Sequence, residues 1–336
     1  MKLAVLGAGS WGLTLAWLLD ENFDDIYVWG RSEDFTPEFL ATKKKSYPIE
    51  VQLPQRTVIT QDLEEAIKDA EIILLVVSTA GTRPVCELVK KAGVKPSQII
   101  VNASKGIELP SLKTLSSVIS EVLPDNPVAI LSGPTLAMEV LKGLPTAASI
   151  ACKDLSVAEY LQKYFNVPNR FRIYTNTDVT GVELGGSLKN VVAIASGFVD
   201  AKQFGCNSRG AILTRGFAEI VRVSLALGAN PSTLYGLSGM GDLIATCSSP
   251  LSRNYQVGYK LGQGKKLDDI LKELGAIAEG VKTSKALCEL AEKLGMEVPL
   301  SQTVYQAVYF DTPHEQLLGN LMNRKFKSEE SYKLKK

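Results

Sequence analysis

The stretch "KLAVLGAGSWGLTLAWLL", residues 2–19, constrains the fold more than any other part of the chain. A short apolar run from Lys2 to Leu6 meets three glycines spaced G-x-G-x-x-G, and a leucine-rich run from Trp11 to Leu19 follows. That order predicts a buried strand, a tight turn and a helix, the context in which this glycine spacing binds a dinucleotide. Gly7 permits the turn, Gly9 lets backbone approach a pyrophosphate, and Gly12 lets helix and strand pack closely. The amides of Ser10 and Trp11 then lie at the helix N-terminus, where partial positive charge favours phosphate.

The next strand, "DDIYVWGR", carries the ribose end of the argument. In such sites an acid about twenty residues past the turn holds a ribose 2′-hydroxyl, whereas an arginine accommodates a 2′-phosphate. Here that place holds Gly30 and Arg31, with Glu33 and Asp34 just beyond the strand. Arg31 favours NADP(H), with NAD(H) use left open.

Further strand-like runs recur through the first half: "RTVIT", "EIILLVVS", "QIIVNAS", "PVAILSG", "TAASIAC" and "RFRIYTN". Helical patterns such as "DLEEAIKDA" and "SLKTLSSVISEVL" separate several of them. Apolar strands alternating with amphipathic helices predict an α/β domain, a Rossmann-type doubly wound sheet covered on both faces. From Asp178 onward helical spacing replaces strand alternation, beginning with "VTGVELGGSLKNVVAIASGFVDA". We therefore expect a cofactor-binding domain over residues 1–177 and an all-helical substrate and catalytic domain over 178–336, ending in a short tail. The Gly and Ala faces of the first long helix suit close helix packing and are candidates for a subunit interface.

A length of 336 residues accommodates two such cores. The net charge of +1, with basic residues spread among acids, argues against nucleic acid as partner. The runs "TKKKS" and "YKLKK" read as solvated loop and tail. Five widely separated cysteines, without C-x-x-C, read as reduced thiols of a cytoplasmic protein. No apolar run is expected to span a membrane. With a single histidine, His314, a two-histidine zinc site is excluded, no metal is expected, and a general acid must be Lys, Asp, Glu or Tyr.

Ligands of doubly wound sheets sit outside the carboxyl ends of the strands. Three such ends carry polar or glycine-rich turns: "STAGTRP", "ASKGIEL" and "SGPTLAMEV". Lys105, between Ser104 and Gly106, has no evident packing role. In the helical half, Lys189 and Asn190 interrupt an otherwise small, apolar helix, so the lysine must snorkel, pair or face a wet cavity. Burial lowers a lysine's pKa and makes it a better proton donor near neutrality. The segment "GLSGMGDLIATCSSPLSRNYQVG" gathers Asp242, Thr246, Ser252, Arg253 and Asn254. Arg253 offers a planar fork for phosphate, and Asn254 adds amide donors.

The ordered motifs "LGAGSWGLTLA", "VWGR", "SKGIE", "LSGPTLAMEV", "VELGGSLKNVVAIASG", "LSGMGDLIATCSS" and "SRN" resemble those of the bacterial-type NAD(P)-dependent sn-glycerol-3-phosphate dehydrogenases, from Lys2 to about Lys327. The resemblance implies reversible hydride transfer between a nicotinamide and C2 of dihydroxyacetone phosphate, giving sn-glycerol 3-phosphate for phospholipid synthesis. It makes Lys189 the proton donor or acceptor, places Lys105 at substrate and cofactor, and places Asp242 at the substrate. Gly133, Thr135, Asn190, Ser252, Arg253 and Asn254 fall at substrate positions. Gly7, Gly9, Ser10, Trp11, Gly12, Arg31, Lys105, Ala137, Arg253, Ile277 and Glu279 fall at cofactor positions. It also implies a homodimer formed through the helical half.

Asp242 could orient Lys189 and tune its pKa, or bind a substrate hydroxyl; the sequence leaves both open. Between the second and third strands the chain departs from the family, keeping only Tyr47, Pro48, Ile49, Leu53 and Pro54 of the "YLPGI-x-LP" pattern. A 3-hydroxy acid or ketopantoate enzyme would share the architecture but need a carboxylate site. A nicotinamide-binding redox sensor would keep the glycine turn but lack Lys189 or Lys105.

Overall fold

The first strand shows why the sheet forms. Successive side chains of a strand point to opposite faces, and here Leu3 and Val5 join one apolar cluster while Ala4 and Leu6 join another. With both faces apolar, the strand is stable only between two covering layers. The structure is a computed structural model describing residues 1–46, 50–275, 278–310, 312–326 and 328–329. Tyr47, Pro48, Ile49, Ile277 and the tail from residue 330 lie outside the described residues.

Ten strands are described: β1 (Lys2–Leu6), β2 (Asp25–Trp29), β3 (Lys44–Lys45), β4 (Val51–Gln52), β5 (Val58–Thr60), β6 (Ile72–Leu75), β7 (Ile99–Asn102), β8 (Val128–Ser132), β9 (Thr146–Cys152) and β10 (Phe171–Asn176). Eight form one sheet in the order β10-β9-β8-β7-β6-β1-β2-β5. Every pairing is parallel except β8 with β9, so β9 and β10 run together against the other six strands of this Rossmann-type sheet. β3 and β4 form a separate antiparallel pair. The chain moves from β1 to β2 on one side and to β6 on the other, so the topological switch point lies at β1, where such sheets open a ligand crevice.

The second half is built around one helix, Val179–Ala201, of which nearly every residue is buried. Its Gly and Ala faces meet other helices of the same chain. A Cβ at Gly197 would stand 2.0 Å from the Tyr255 carbonyl, and one at Gly258 would stand 1.8 Å from the Ile194 carbonyl. This revises the expectation that the small-residue faces form a subunit interface, because that stripe is consumed inside the fold. A second correction concerns length. Val179–Ala201 has 23 residues and is apolar enough to cross a membrane, contrary to the expectation that no run reaches that length. Its apolar window is 94% buried by protein, so its composition is that of a central packing helix. The cysteines are all free, with Cys86, Cys152 and Cys247 buried.

Candidate active site

The helix Ser10–Leu18 follows β1 directly, and the glycines between them are held sterically. Gly7 takes φ +123°, and a Cβ there would lie 2.5 Å from the Val76 carbonyl. A Cβ at Gly12 would fall 2.0 Å from the Gly7 carbonyl. Gly9 differs: a Cβ there would meet no protein atom within 4 Å. Packing therefore dictates two glycines, while the third keeps backbone accessible at the helix N-terminus. No side chain caps that terminus and no acid occupies its first turn. Ser10 and Trp11 thus present amides of the kind that hold a pyrophosphate, and the turn fits a nicotinamide dinucleotide.

At the end of β2, Arg31 is 65% exposed and pairs with Glu33 at 2.7 Å and Asp34 at 3.4 Å. Asp34 also accepts the Arg31 amide at 2.8 Å. Both acids that sequence reasoning set aside are therefore engaged with this guanidinium.

Across the crevice, the two lysines and the aspartate converge. Lys105 follows β7, Lys189 sits mid-way along Val179–Ala201, and Asp242 opens the helix Asp242–Cys247. A π-helical turn over Leu237–Gly241 precedes Asp242, and a Cβ at Gly239 would meet the Leu234 carbonyl at 1.9 Å. The glycines of "LSGMGD" thus let the turn tuck under the aspartate. Asp242 Oδ2 accepts from Lys105 Nζ at 2.5 Å, and Oδ1 faces Lys189 Nζ at 3.0 Å. Lys189 also donates to Thr246 Oγ1 at 2.5 Å, and Thr246 donates to Asp242 Oδ1 at 3.0 Å. Lys105 Nζ donates its second bond to the Gly133 carbonyl at 3.1 Å.

Lys189 and Asp242 are 5% and 2% exposed, so their charges interact in a low-dielectric setting. Burial lowers the Lys189 pKa to about 8, with Asp242 pulling it up and Lys105 pushing it down. Burial raises the Asp242 pKa, but the two ammoniums overcome that effect and hold it below the ordinary carboxylate range. One carboxylate between two cations leaves the cluster net positive, a field that stabilises an oxyanion developing beside it.

Gly133 takes φ +151°, and a Cβ there would meet Ala148 Cα at 2.9 Å; its carbonyl also accepts from Thr135 at 3.2 Å. Ala137 begins a short helix packed against the cofactor half. Ser252 caps the helix Arg253–Gly262 by accepting from Tyr255 N at 3.2 Å. Asn254 donates to Asn190 at 2.9 Å and accepts from Gly280 N at 2.9 Å. These bonds fix Arg253 on its helix. Surrounding protein lowers the Arg253 pKa and Glu279 opposes the shift, while the residue as a whole is exposed to solvent. Glu279 accepts from the Thr79 amide at 3.2 Å and hydroxyl at 2.8 Å, tying the helical half to the turn after β6.

Sequence reasoning gave no role to Thr246 or Thr79. Thr246 was legible as the i+4 neighbour of Asp242 on one helix face. Thr79 depends on a pairing 200 residues away and carried no local signal.

Two family models match the chain: NAD-dependent glycerol-3-phosphate dehydrogenase N-terminus over residues 2–158 and C-terminus over 178–319. The chain belongs to this family. Among relatives of this dehydrogenase, the protein named glycerol-3-phosphate dehydrogenase (NAD(P)+) from Geobacter sulfurreducens is 43% identical over 332 residues, covering 98% of each chain. One of the same name from Lysinibacillus sphaericus is 44% identical over 333 residues, again covering 98% of each. A crystal structure of glycerol-3-phosphate dehydrogenase from Coxiella burnetii aligns with a TM-score of 0.89 at 33% identity, covering 96% of this chain and 99% of that one. A 2-dehydropantoate 2-reductase from Methylococcus capsulatus shares only the fold, at 14% identity and a TM-score of 0.58.

Proposed function

We propose that the chain interconverts dihydroxyacetone phosphate and sn-glycerol 3-phosphate. The Gly7–Gly12 turn with the Ser10 and Trp11 amides would hold the pyrophosphate of a nicotinamide dinucleotide, which would supply or accept the hydride at C2. NADP(H) is the preferred cofactor, with Arg31 as one cation at the ribose and NAD(H) as the second choice. Residues 1–177 bind the cofactor, and residues 178–336 supply most substrate contacts. The product serves phospholipid synthesis in the cytoplasm, and the working unit is a homodimer.

The observation that carries this reading is the Lys105–Asp242–Lys189 cluster, with Asp242 and Lys189 buried and Lys105 half-buried. Reduction of the ketone puts negative charge on the C2 oxygen, and Lys189 as ammonium delivers the proton. In the reverse direction the neutral amine receives it. Asp242 keeps the lysine protonated against its burial, and Lys105 adds a second positive charge. Arg253 grips the substrate phosphate and holds C2 in place, a positioning role worth orders of magnitude in rate. Asn190, Asn254 and Ser252 hold that guanidinium in register, while Gly133 and Thr135 shape the opposite wall.

The test is oxidation of NADPH and of NADH by dihydroxyacetone phosphate, with wild type and Lys189→Ala compared. Wild-type turnover is expected, with kcat lowered roughly a hundredfold to ten-thousandfold in a variant that still binds cofactor. Cofactor binding without wild-type turnover would overturn the substrate assignment and return the hydroxy-acid reading.

A further inference from the structure

The run Lys43-Lys44-Lys45 reads as solvated charge, and its first two members behave accordingly. Lys43 reaches the Gln55 carbonyl at the surface, and Lys44 pairs with Glu50 at 3.2 Å. Lys45 is different. It is half-buried, and its Nζ donates to the Ala8 carbonyl at 3.0 Å and the Asp34 carbonyl at 3.1 Å. Ala8 stands between the two glycines that open the phosphate turn. Asp34 belongs to the loop leaving β2, where sheets of this type discriminate the ribose 2′ substituent. The ammonium therefore bridges the two elements that flank an adenosine ribose, and the Phe39 ring lies 5.5 Å behind it.

Two of the three N–H groups of Lys45 are engaged by these carbonyls, and carbonyl dipoles do not neutralise its charge. Nearby Glu33 and Asp34 form their ion pairs with Arg31, and only the field of Asp34 reaches Lys45, with no carboxylate among the described residues in contact with its ammonium. We propose that Lys45 reads the charge on the adenosine ribose, favouring a 2′-phosphate over a 2′-hydroxyl, with Arg31 as the outer cation. The inference deepens the NADP(H) preference proposed above and rests on the nicotinamide reading of the turn. It also gives the β3–β4 pair, where the chain departs from its family's pattern, a function: β3 delivers this lysine to the turn.

The experiment compares wild type, Lys45→Met and Lys45→Arg in two ways: kcat/KM with NADPH and with NADH, and calorimetric binding of NADP+ and NAD+. The expected result is a fall of about tenfold or more in the NADPH-to-NADH ratio for Lys45→Met, the size of one charge-assisted bond to phosphate. Lys45→Arg should retain most of the ratio. Equal losses with both cofactors would overturn the proposal and leave Lys45 a strap between turn and loop. An unchanged ratio would overturn it as well. Calorimetry needs no substrate, so failure of the proposed reaction appears as absent turnover while the binding ratio still decides the role of Lys45.

Discussion

Replacing Asp242 by asparagine removes the charge shared by Lys105 and Lys189 while nearly preserving shape. Lys189 Nζ and Asp242 Oδ1 are 3.0 Å apart. At that separation, with an effective dielectric of about 20, a unit pair attracts by roughly 5 kcal/mol. Half of that, allowing for relaxation and entering water, is still about two pKa units. Burial has already lowered Lys189 to about 8, so in the variant it titrates near about 6 on this reckoning. At pH 7 the protonated fraction then falls from about nine-tenths to about one-tenth.

In the proposed mechanism the ammonium is the donor in reduction, so reductive kcat/KM should be sustained at low pH and lost as pH rises through the lysine pKa. Oxidation of glycerol 3-phosphate needs the neutral amine and shows the opposite limb. For Asp242→Asn, the descending limb of the reductive profile should move from about 8 to about 6, with the tenfold deficit at pH 7 recovered in more acidic buffer. The assay is kcat/KM for dihydroxyacetone phosphate across pH, with cofactor affinity measured alongside to establish that the variant is folded. A limb that stays near about 8 while the whole profile drops evenly would refute this reasoning. Asp242 would then act on the substrate, the alternative that the sequence left open.

Two other changes probe the frame that holds the site. Glu183 is fully buried and accepts from the Ser116 amide at 2.9 Å and from its hydroxyl, and burial raises its pKa from 4.5 to about 7. The folded state therefore holds a proton that the unfolded state releases, and stability attributable to this group is lost as pH rises from about 4.5 to about 7, by at most about 3 kcal/mol. Urea melts of Glu183→Gln should show a flatter pH dependence than wild type; parallel curves would mean that Glu183 titrates normally. Gly258→Ala should destabilise by roughly 3 kcal/mol or more, because its Cβ would meet a backbone carbonyl that cannot rotate away. A loss below about 1 kcal/mol in denaturant titration would show that the two helices can separate cheaply.

The parts legible in sequence were those whose constraint is local. Gly12 is fixed by the Gly7 carbonyl five residues back and Gly7 by its own φ of +123°, with the distant Val76 carbonyl only adding to it, so their spacing alone announces strand, turn and helix. Lys105, Lys189 and Asp242 were each conspicuous as a charge in the wrong company, but their union was not, because Lys105 and Asp242 meet across 137 residues of chain. Roles were harder to read than positions. Ser252 read as a phosphate ligand, and its oxygen also caps a helix while its O–H remains to donate; Asn254 read as a donor, and one of its two amide N–H groups goes to Asn190. A polar side chain beside a ligand and one satisfying the backbone carry the same letter, and only the partner distinguishes them. Lys45 shows the converse, a charge in a solvated-looking run whose partner is the phosphate turn itself.

The same logic bears on assembly. Small residues on a helix report that something approaches closely, not what does. In Val179–Ala201 the approaching surface is the chain's own Arg253–Gly262 helix, at Gly197 against Tyr255 and at Gly258 against Ile194. That packing also shapes the candidate site, since it places Asn254, next to Arg253 in the chain, against Asn190, one residue from Lys189. A stripe already consumed in packing these two helices beside Lys189 cannot also be surrendered to a partner. The homodimer proposed for this chain must therefore bury a different face of the helical half.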